Sequence, residues 1–400
     1  MEKQLKIAIY SGTIRAPVFI ENLIHSLEDQ GIQLYLFGRK ISSHQYFSPN
    51  IHLFLTPKHR ILLIGFILSH IIRLIITRPN KFIKIVKYYC NLPKNVSGGF
   101  LNWWGKVLPV VNFLPDIFHI QWAKALPNWF FLKELFGVRI ILSLRGTHIT
   151  LSPFANKDLA KQYRNLFPKI DKFHAVSKSI GKIALKYGAE SKDVNIIYSA
   201  VNSELIRPFV KTNWSPQDIF QFISVGRFHW VKGYHYALTA IKNLLENNLP
   251  VHYTIITEDV PPEEILYQIK DLSIQDYITF LCTSTQKEVY QEMNISDCLI
   301  LPSVEEGIAN VVLEAMAIGL PVISSDCGGM KEVIDHGKNG LLFRNRDVDC
   351  LTQVMADIFN QDPDKRKSLV KRAKMDIKEN HSFSRLSGEM KELYHSIMFA

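Results

Sequence analysis

The chain has 400 residues, 47% of them hydrophobic and 21% charged, with a formal net charge of +10. That length exceeds what one hydrophobic core usually serves, so two domains are expected, and the apolar content excludes a disordered chain. The five cysteines, Cys90, Cys282, Cys298, Cys327 and Cys350, are scattered without a CxxC pair, which excludes a disulfide scaffold and fits a reducing cytoplasm.

Residues 1–10 run almost directly into an apolar strand, leaving no room for an export signal. The strand expected at Lys6–Tyr10 is followed by Ser11–Pro17 (SGTIRAP) and a helix from Val18 to Gln30. Gly12 and Thr13 in that connection are candidates to line a binding cleft, because ligands of parallel sheets sit at the carboxyl ends of strands.

Much of the basic charge falls in residues 57–94, whose apolar centre at Ile61–Thr77 is interrupted by His70 and Arg73. As a transmembrane helix it is short and carries a costly charge. Two readings stand side by side: a basic amphipathic surface on an anionic membrane, and a pair of core helices. The basic residues form no recognised nucleic-acid module, so nucleic acid is not an expected partner.

Further strands are expected at Gln33–Phe37, Ile51–Leu55, Ile117–Gln121, Arg139–Leu144, Phe173–Val176 and Val194–Tyr198. The segment Leu142–Thr150 (LSLRGTHIT) brings Arg145 and His148 to the end of one of them. Arg145 can bind phosphate or sugar by planar hydrogen bonding, and His148 can titrate or merely be hydrogen-bonded. Ser177 offers a hydroxyl after the next strand.

Residues 206–218 mix prolines with polar residues and read as an interdomain linker. Beyond it, strands are expected at Phe220–Val225, Val251–Thr257, Ile278–Cys282, Cys298–Leu301, Pro321–Ser324 and Gly340–Phe343, with helices at about Gly233–Glu246, Gln286–Met293 and Asn310–Ile318.

Three motifs fall between those strands. Val225–Gly233 (VGRFHWVKG) leaves a strand and places Arg227 and Lys232, flanked by Gly226 and Gly233, where two cations can neutralise a diphosphate. Glu305–Val322 (EEGIANVVLEAMAIGLPV) opens a helix near Asn310, whose unpaired N–H groups favour phosphate, and ends it at Gly319 with Pro321 beyond. Glu306 in the loop and Glu314 inside the helix are carboxylates suited to accept hydrogen bonds from sugar and ribose hydroxyls. Ser324–Glu332 (SSDCGGMKE) adds Gly328 and Gly329, a turn that permits close approach to a ligand.

With these motifs the chain resembles glycosyltransferase family 4, whose members have an α/β GT-B fold of two facing Rossmann-like domains with parallel sheets and an interdomain cleft. The resemblance implies an acceptor-binding domain at 1–205, the linker at 206–218, a nucleotide-sugar donor-binding domain at 219–380, and a C-terminal helix at 381–400 packing back toward the first domain. It implies that Arg227 and Lys232 contact the donor diphosphate, that Glu306 opens the E-x7-E element and holds the sugar, and that Glu314 binds the ribose. Gly307, Ile308, Ala309 and Asn310 would lie against the phosphates and sugar. Arg145 stands where many members have histidine, and Ser199–Asn202 (SAVN) varies the sequence before the linker.

The expected activity is retaining transfer of a sugar from a nucleotide-diphosphate sugar to a hydroxyl of a glycan or lipid-linked acceptor, in cell-surface polysaccharide or glycolipid synthesis. No cofactor and no metal are expected, since the sequence gives no positive signal for one: HExxH and cysteine–histidine clusters are missing from it. The expected location is cytoplasmic, peripheral on the membrane's inner face if residues 57–94 bind it. The alternatives are a catalytically silent nucleotide-sugar-binding module at a membrane and a GT-B nucleotide-sugar epimerase.

Overall fold

The computed structural model describes residues 5–40, 46–92, 99–212, 218–283 and 285–397. The chain divides into two units: Met1–Val176, Gly181–Ile197 and Ser387–Ala400 form the first, and Ser177–Ile180 with Tyr198–Leu386 the second. The main passage from the first unit to the second therefore falls between Ile197 and Tyr198, ahead of the 206–218 segment, of which 213–217 lie outside the described residues.

Among the described residues the first unit holds a seven-stranded sheet built from β1 (Ile7–Ile14), β2 (Leu34–Lys40), β3 (Ile51–Leu55), β4 (Ile117–Ile120), β5 (Arg139–Leu144), β6 (Lys172–Ala175) and β7 (Val194–Ile196). Its order is β3-β2-β1-β4-β5-β6-β7, with every pairing parallel. Central strands of such a sheet are covered on both faces and read as continuous apolar runs rather than as alternation. β4 (IFHI) fits: all its residues are buried. Helices α1 (Val18–Glu28), α2 (Arg60–Thr77), α3 (Pro79–Cys90) and α4 (Gly99–Phe113) follow in the first half of this unit.

The second unit repeats the plan with β8 (Phe220–Val225), β9 (Val251–Thr257), β10 (Ile278–Cys282), β11 (Cys298–Leu301), β12 (Val322–Ser325) and β13 (Leu341–Phe343), ordered β10-β9-β8-β11-β12-β13 and again all parallel. One core layer gathers Tyr234, Leu238 and Ile241 of the helix Tyr234–Glu246 against Phe222 and Ile300. The other gathers Val312, Leu313 and Met316 of the helix Asn310–Ile318 against Ile223 and Leu299. Each fully buried aliphatic or aromatic side chain contributes about 1.5–3 kcal/mol, so two such layers hold the sheet from both sides.

In both sheets the strand order reverses beside the first strand, between β1 and β4 and between β8 and β11. At such a switch point the connections diverge and leave a crevice beyond the carboxyl ends of the strands. The first sheet departs from expectation there. β1 runs on to Ile14, with a register shift between Ile9 and Gly12, and pairs Gly12 with Gly38 and Thr13 with Arg39. Gly12 and Thr13 are thus strand residues, and the connection to α1 shortens to Arg15–Pro17. A Cβ on Gly38 would lie 3.0 Å from Gly12 O, so the two backbones are in close contact at this point.

Candidate active site

In the second unit the switch-point strands deliver the principal residues. β8 ends at Val225 and releases Gly226 and Arg227; β11 ends at Leu301 and leads through Pro302 and Ser303 to Glu306. Lys232 Nζ donates to Glu306 Oε1 at 2.8 Å, and Ser303 Oγ donates to the same oxygen at 2.9 Å. Both members of the pair are partly exposed, so each keeps hydrogen-bonding capacity for a ligand. Gly226 makes room beside this pair, since a Cβ there would come 3.3 Å from Lys232 Cε and 3.2 Å from Tyr234 Oη. Arg227 is exposed in the same turn.

The loop that carries Glu306 is fixed by backbone contacts. Gly329 N donates to Glu306 O at 3.2 Å, Val304 N to Val231 O at 2.8 Å, and Asn345 Nδ2 to Val304 O at 2.9 Å. A Cβ on Gly328 would lie 1.8 Å from Glu306 O, and one on Gly329 would lie 1.9 Å from Gly307 O. The diglycine turn therefore admits the Glu306–Gly307 backbone, where the sequence suggested that it admits a ligand. Gly233 has a similar part: at φ +65° its Cβ would meet Pro302 O at 2.1 Å, which lets the turn bearing Lys232 lie against the end of β11.

The helix Asn310–Ile318 starts where the sequence places it, and its N-cap residue Ala309 provides no side-chain cap, so the N-terminal turn keeps its capacity for an anion. The side chains of Ile308 and Ala309 join the core rather than face a ligand. At those two positions the loop can therefore offer a ligand only backbone groups, and Ala309 N already donates to Met330 Sδ at 3.5 Å. Asn310 Oδ1 is buried with no hydrogen-bond partner.

Glu314 is buried, and its Oε1 accepts from Gln286 Nε2 at 2.8 Å. Gln286 also donates to Tyr290 Oη at 2.6 Å, and Tyr290 bonds the Glu314 carboxyl. Burial pushes the Glu314 carboxyl up to about 7 against the lowering effect of these two bonds. Gln286 and Tyr290 were missed as site residues; their i, i+4 spacing on the helix Gln286–Ile295 was the available signal.

In the first unit, Arg145 follows β5, with its Nη2 3.3 Å from Gln121 Oε1 and its guanidinium carbon 4.8 Å from the Phe19 ring centre. Burial lowers its pKa. The His148 ring lies 4.9 Å from that of Trp122, whose Nε1 donates to Ser11 O at 3.1 Å. Arg145, His148 and the end of β1 are therefore tied together by Phe19, Gln121 and Trp122, which no motif announced. Ser177, which belongs to the second unit, is buried and its Oγ accepts from Ile180 N at 3.1 Å, so the hydroxyl caps the start of the helix Lys178–Lys186.

Behind Arg145 lies a buried chain of polar groups. Burial pushes His174 down to about 3 and holds His119 well below its ordinary value, so both rings are neutral. His174 Nε2 is 3.0 Å from Ile197 O, an acceptor only, which places the proton on that nitrogen. His174 Nδ1 then accepts from Ser143 Oγ at 2.9 Å, Ser143 accepts from His119 Nε2 at 2.8 Å, and His119 Nδ1 accepts from Tyr394 Oη at 2.9 Å. Since Ser143 has one proton, the longer 3.3 Å approach to Gln121 Oε1 leaves that oxygen to Arg145.

Among the described residues, no three His, Cys, Asp or Glu side chains gather in a group that could hold a metal ion.

Residues 209–376 match the family model described as glycosyl transferases group 1. Over 294 residues the chain is 26% identical to the putative colanic acid biosynthesis glycosyltransferase WcaL of Escherichia coli K12, covering 71% of each chain. The structure is similar to sucrose-phosphate synthase from Thermosynechococcus elongatus, with a TM-score of 0.73 and 16% identity over 98% of this chain and 99% of that one. It is also similar to HepE of Anabaena in complex with UDP and glucose, with a TM-score of 0.71 and 18% identity over 98% of this chain and all of that one, 100%. The likeness spans nearly the whole chain and shows the GT-B fold of two Rossmann-like domains.

Proposed function

We propose that this GT-B glycosyltransferase moves a sugar from a nucleoside-diphosphate sugar to a hydroxyl of a glycan or lipid-linked acceptor, with retention of anomeric configuration. The observation that carries the reading is the Lys232–Glu306 pair, 2.8 Å apart at the switch point of the second sheet. An ammonium has three donors, so Lys232 can hold Glu306 and a phosphate oxygen together. Arg227 adds a second cation, and the N-terminus of the helix Asn310–Ile318 adds its dipole. These groups stabilise the diphosphate as negative charge develops on it. Glu306 then holds the sugar hydroxyls and Glu314 the ribose.

In this scheme the acceptor oxygen attacks the anomeric carbon on the face from which the diphosphate departs. The bond to the leaving phosphate breaks, and the acceptor's proton passes to that phosphate oxygen. No step uses a metal, so chelation leaves turnover unchanged. In the first unit, Arg145 and His148, with Gly12 and Thr13 near the end of β1, serve the acceptor. The likeness to a colanic acid biosynthesis transferase supports a place in cell-surface polysaccharide synthesis.

The test is a panel of nucleoside-diphosphate sugars incubated with lipid-linked and free glycan acceptors, read by nucleotide release and by NMR of the product's anomeric centre. Release with a retained anomer is expected. An inverted product would overturn the retaining scheme, an isomerised donor would identify an epimerase, and binding without release would identify a silent module.

A further inference from the structure

Helix α2 has two unlike faces. Its inner face is held by α4: Leu63, Ile67 and Leu74 are buried, and a Cβ on Gly105 would come within 2.6 Å of Leu63 Cδ1. Asn112 Nδ2 donates to His70 O at 3.0 Å, and Arg78 Nη1 donates to Asn112 O at 3.0 Å. The outer face carries Ile61, Ile64, Leu68, Ile72, Ile75 and Ile76, all exposed, with Ile61 at 85% and Ile76 at 74%. Their spacing sets them in one stripe along the helix, and a continuous apolar stripe of this kind marks an interaction surface rather than the ordinary scatter of exposed side chains.

Charge decides what covers it. Lys58, Arg60, Arg73, Arg78, Lys81, Lys84 and Lys87 fall in residues 57–92, which contain no aspartate or glutamate. Residues 93 and 94, the end of the basic segment, lie outside the described residues. Burial, and then the charges of Arg78 and Lys84, hold the Lys81 ammonium below its usual value. A second copy of the chain on this face would bring the same cations together, whereas anionic lipid supplies the missing negative charge and its acyl chains take up the isoleucines.

By length and composition α2, with a mean hydropathy of 2.0 over 18 residues, could cross a bilayer. Crossing would place Arg73 in hydrocarbon and strip α2 of its contacts with Gly105 and Asn112. The core-helix reading fails as well, since only 17% of α2 is buried. We propose that α2 and α3 dock this protein on the surface of an anionic bilayer, with α2 lying in the headgroup region and its outer stripe inserted. The inference does not depend on the sugar chemistry.

The test is sedimentation of the full chain with vesicles of phosphatidylcholine alone and of phosphatidylcholine mixed with phosphatidylglycerol. Partition into the mixed vesicles should be stronger by about tenfold or more. The double substitution Leu68→Glu with Ile72→Glu should lower it by about tenfold at an unchanged thermal unfolding midpoint. Lys81→Glu, Lys84→Glu and Lys87→Glu together should remove the preference for anionic lipid. Equal partition into both vesicles, or variants that bind as the parent does, would overturn the proposal. Retention after an alkaline carbonate wash would replace it with a spanning helix, and a dimer abolished by Leu68→Glu would replace it with self-association.

Discussion

Lys232 Nζ and Glu306 Oε1 stand 2.8 Å apart, joining the turn after β8 to the loop after β11. Two connections that diverge from neighbouring strands are thus locked by one charge-assisted bond at the place where a ligand of such a sheet binds. Lys232→Ala and Glu306→Ala should each lower transfer by about a hundredfold or more, as expected for groups that act on developing charge or on the reacting sugar. Thermal unfolding should show the fold retained in both. Initial rates of nucleotide release check this, and unchanged turnover in either variant would remove the pair from the site.

The Glu306 loop owes its position to the backbone space at Gly328. With φ at +50° and a Cβ placed 1.8 Å from Glu306 O, Gly328→Ala should cost roughly 2–4 kcal/mol. Gly337→Ala separates strain from collision: φ is +79° there, but nothing lies within 4 Å of the added Cβ. Its cost should stay near the ~1 kcal/mol of a left-handed backbone alone. Urea unfolding of the two variants measures the difference, and equal costs would mean that the contact with Glu306 O is relieved without strain.

The raised pKa of Glu314 gives stability a pH dependence of definite sign. Unfolded, the carboxyl loses its proton near its ordinary 4.5; folded, it holds the proton to about 7. Between these values the folded state binds more protons, so stability falls as pH rises through the window and levels off above it. The loss amounts to about 3 kcal/mol at most. Glu314→Gln, which does not titrate, should flatten that slope. Denaturant midpoints from pH 4.5 to 7.5 measure it, and an undiminished slope in the variant would assign the effect elsewhere.

Tyr394 terminates the buried chain that runs through His119, Ser143 and His174. Tyr394→Phe leaves His119 Nδ1 buried without its donor and should destabilise the protein by about 1–3 kcal/mol. Ser143→Ala should cost at least as much, because it strands an imidazole nitrogen on each side. Chemical denaturation tests both, and a neutral Ser143→Ala would show that the chain is not connected in the direction derived from Ile197 O.

The sequence by itself determined the local elements and which side chains stand at the strand ends and the helix start of the second unit. Continuous apolar runs such as Cys298–Leu301 cannot be solvated, and the Gly319 and Pro321 pair must end the helix carrying Glu314, so strands, helix and carboxylate were legible from neighbours in the chain. Tertiary structure decided what depends on partners distant in sequence. It paired Lys232 with Glu306, set Gln286 and Tyr290 on Glu314, turned Ile308 and Ala309 into the core, and gave Gly328 and Gly329 to the Glu306 backbone in place of a ligand. It also continued β1 through Gly12 and Thr13 and left the outer stripe of α2 uncovered. Periodicity reports that a helix has an apolar face; only the packing of its neighbours decides whether that face is filled.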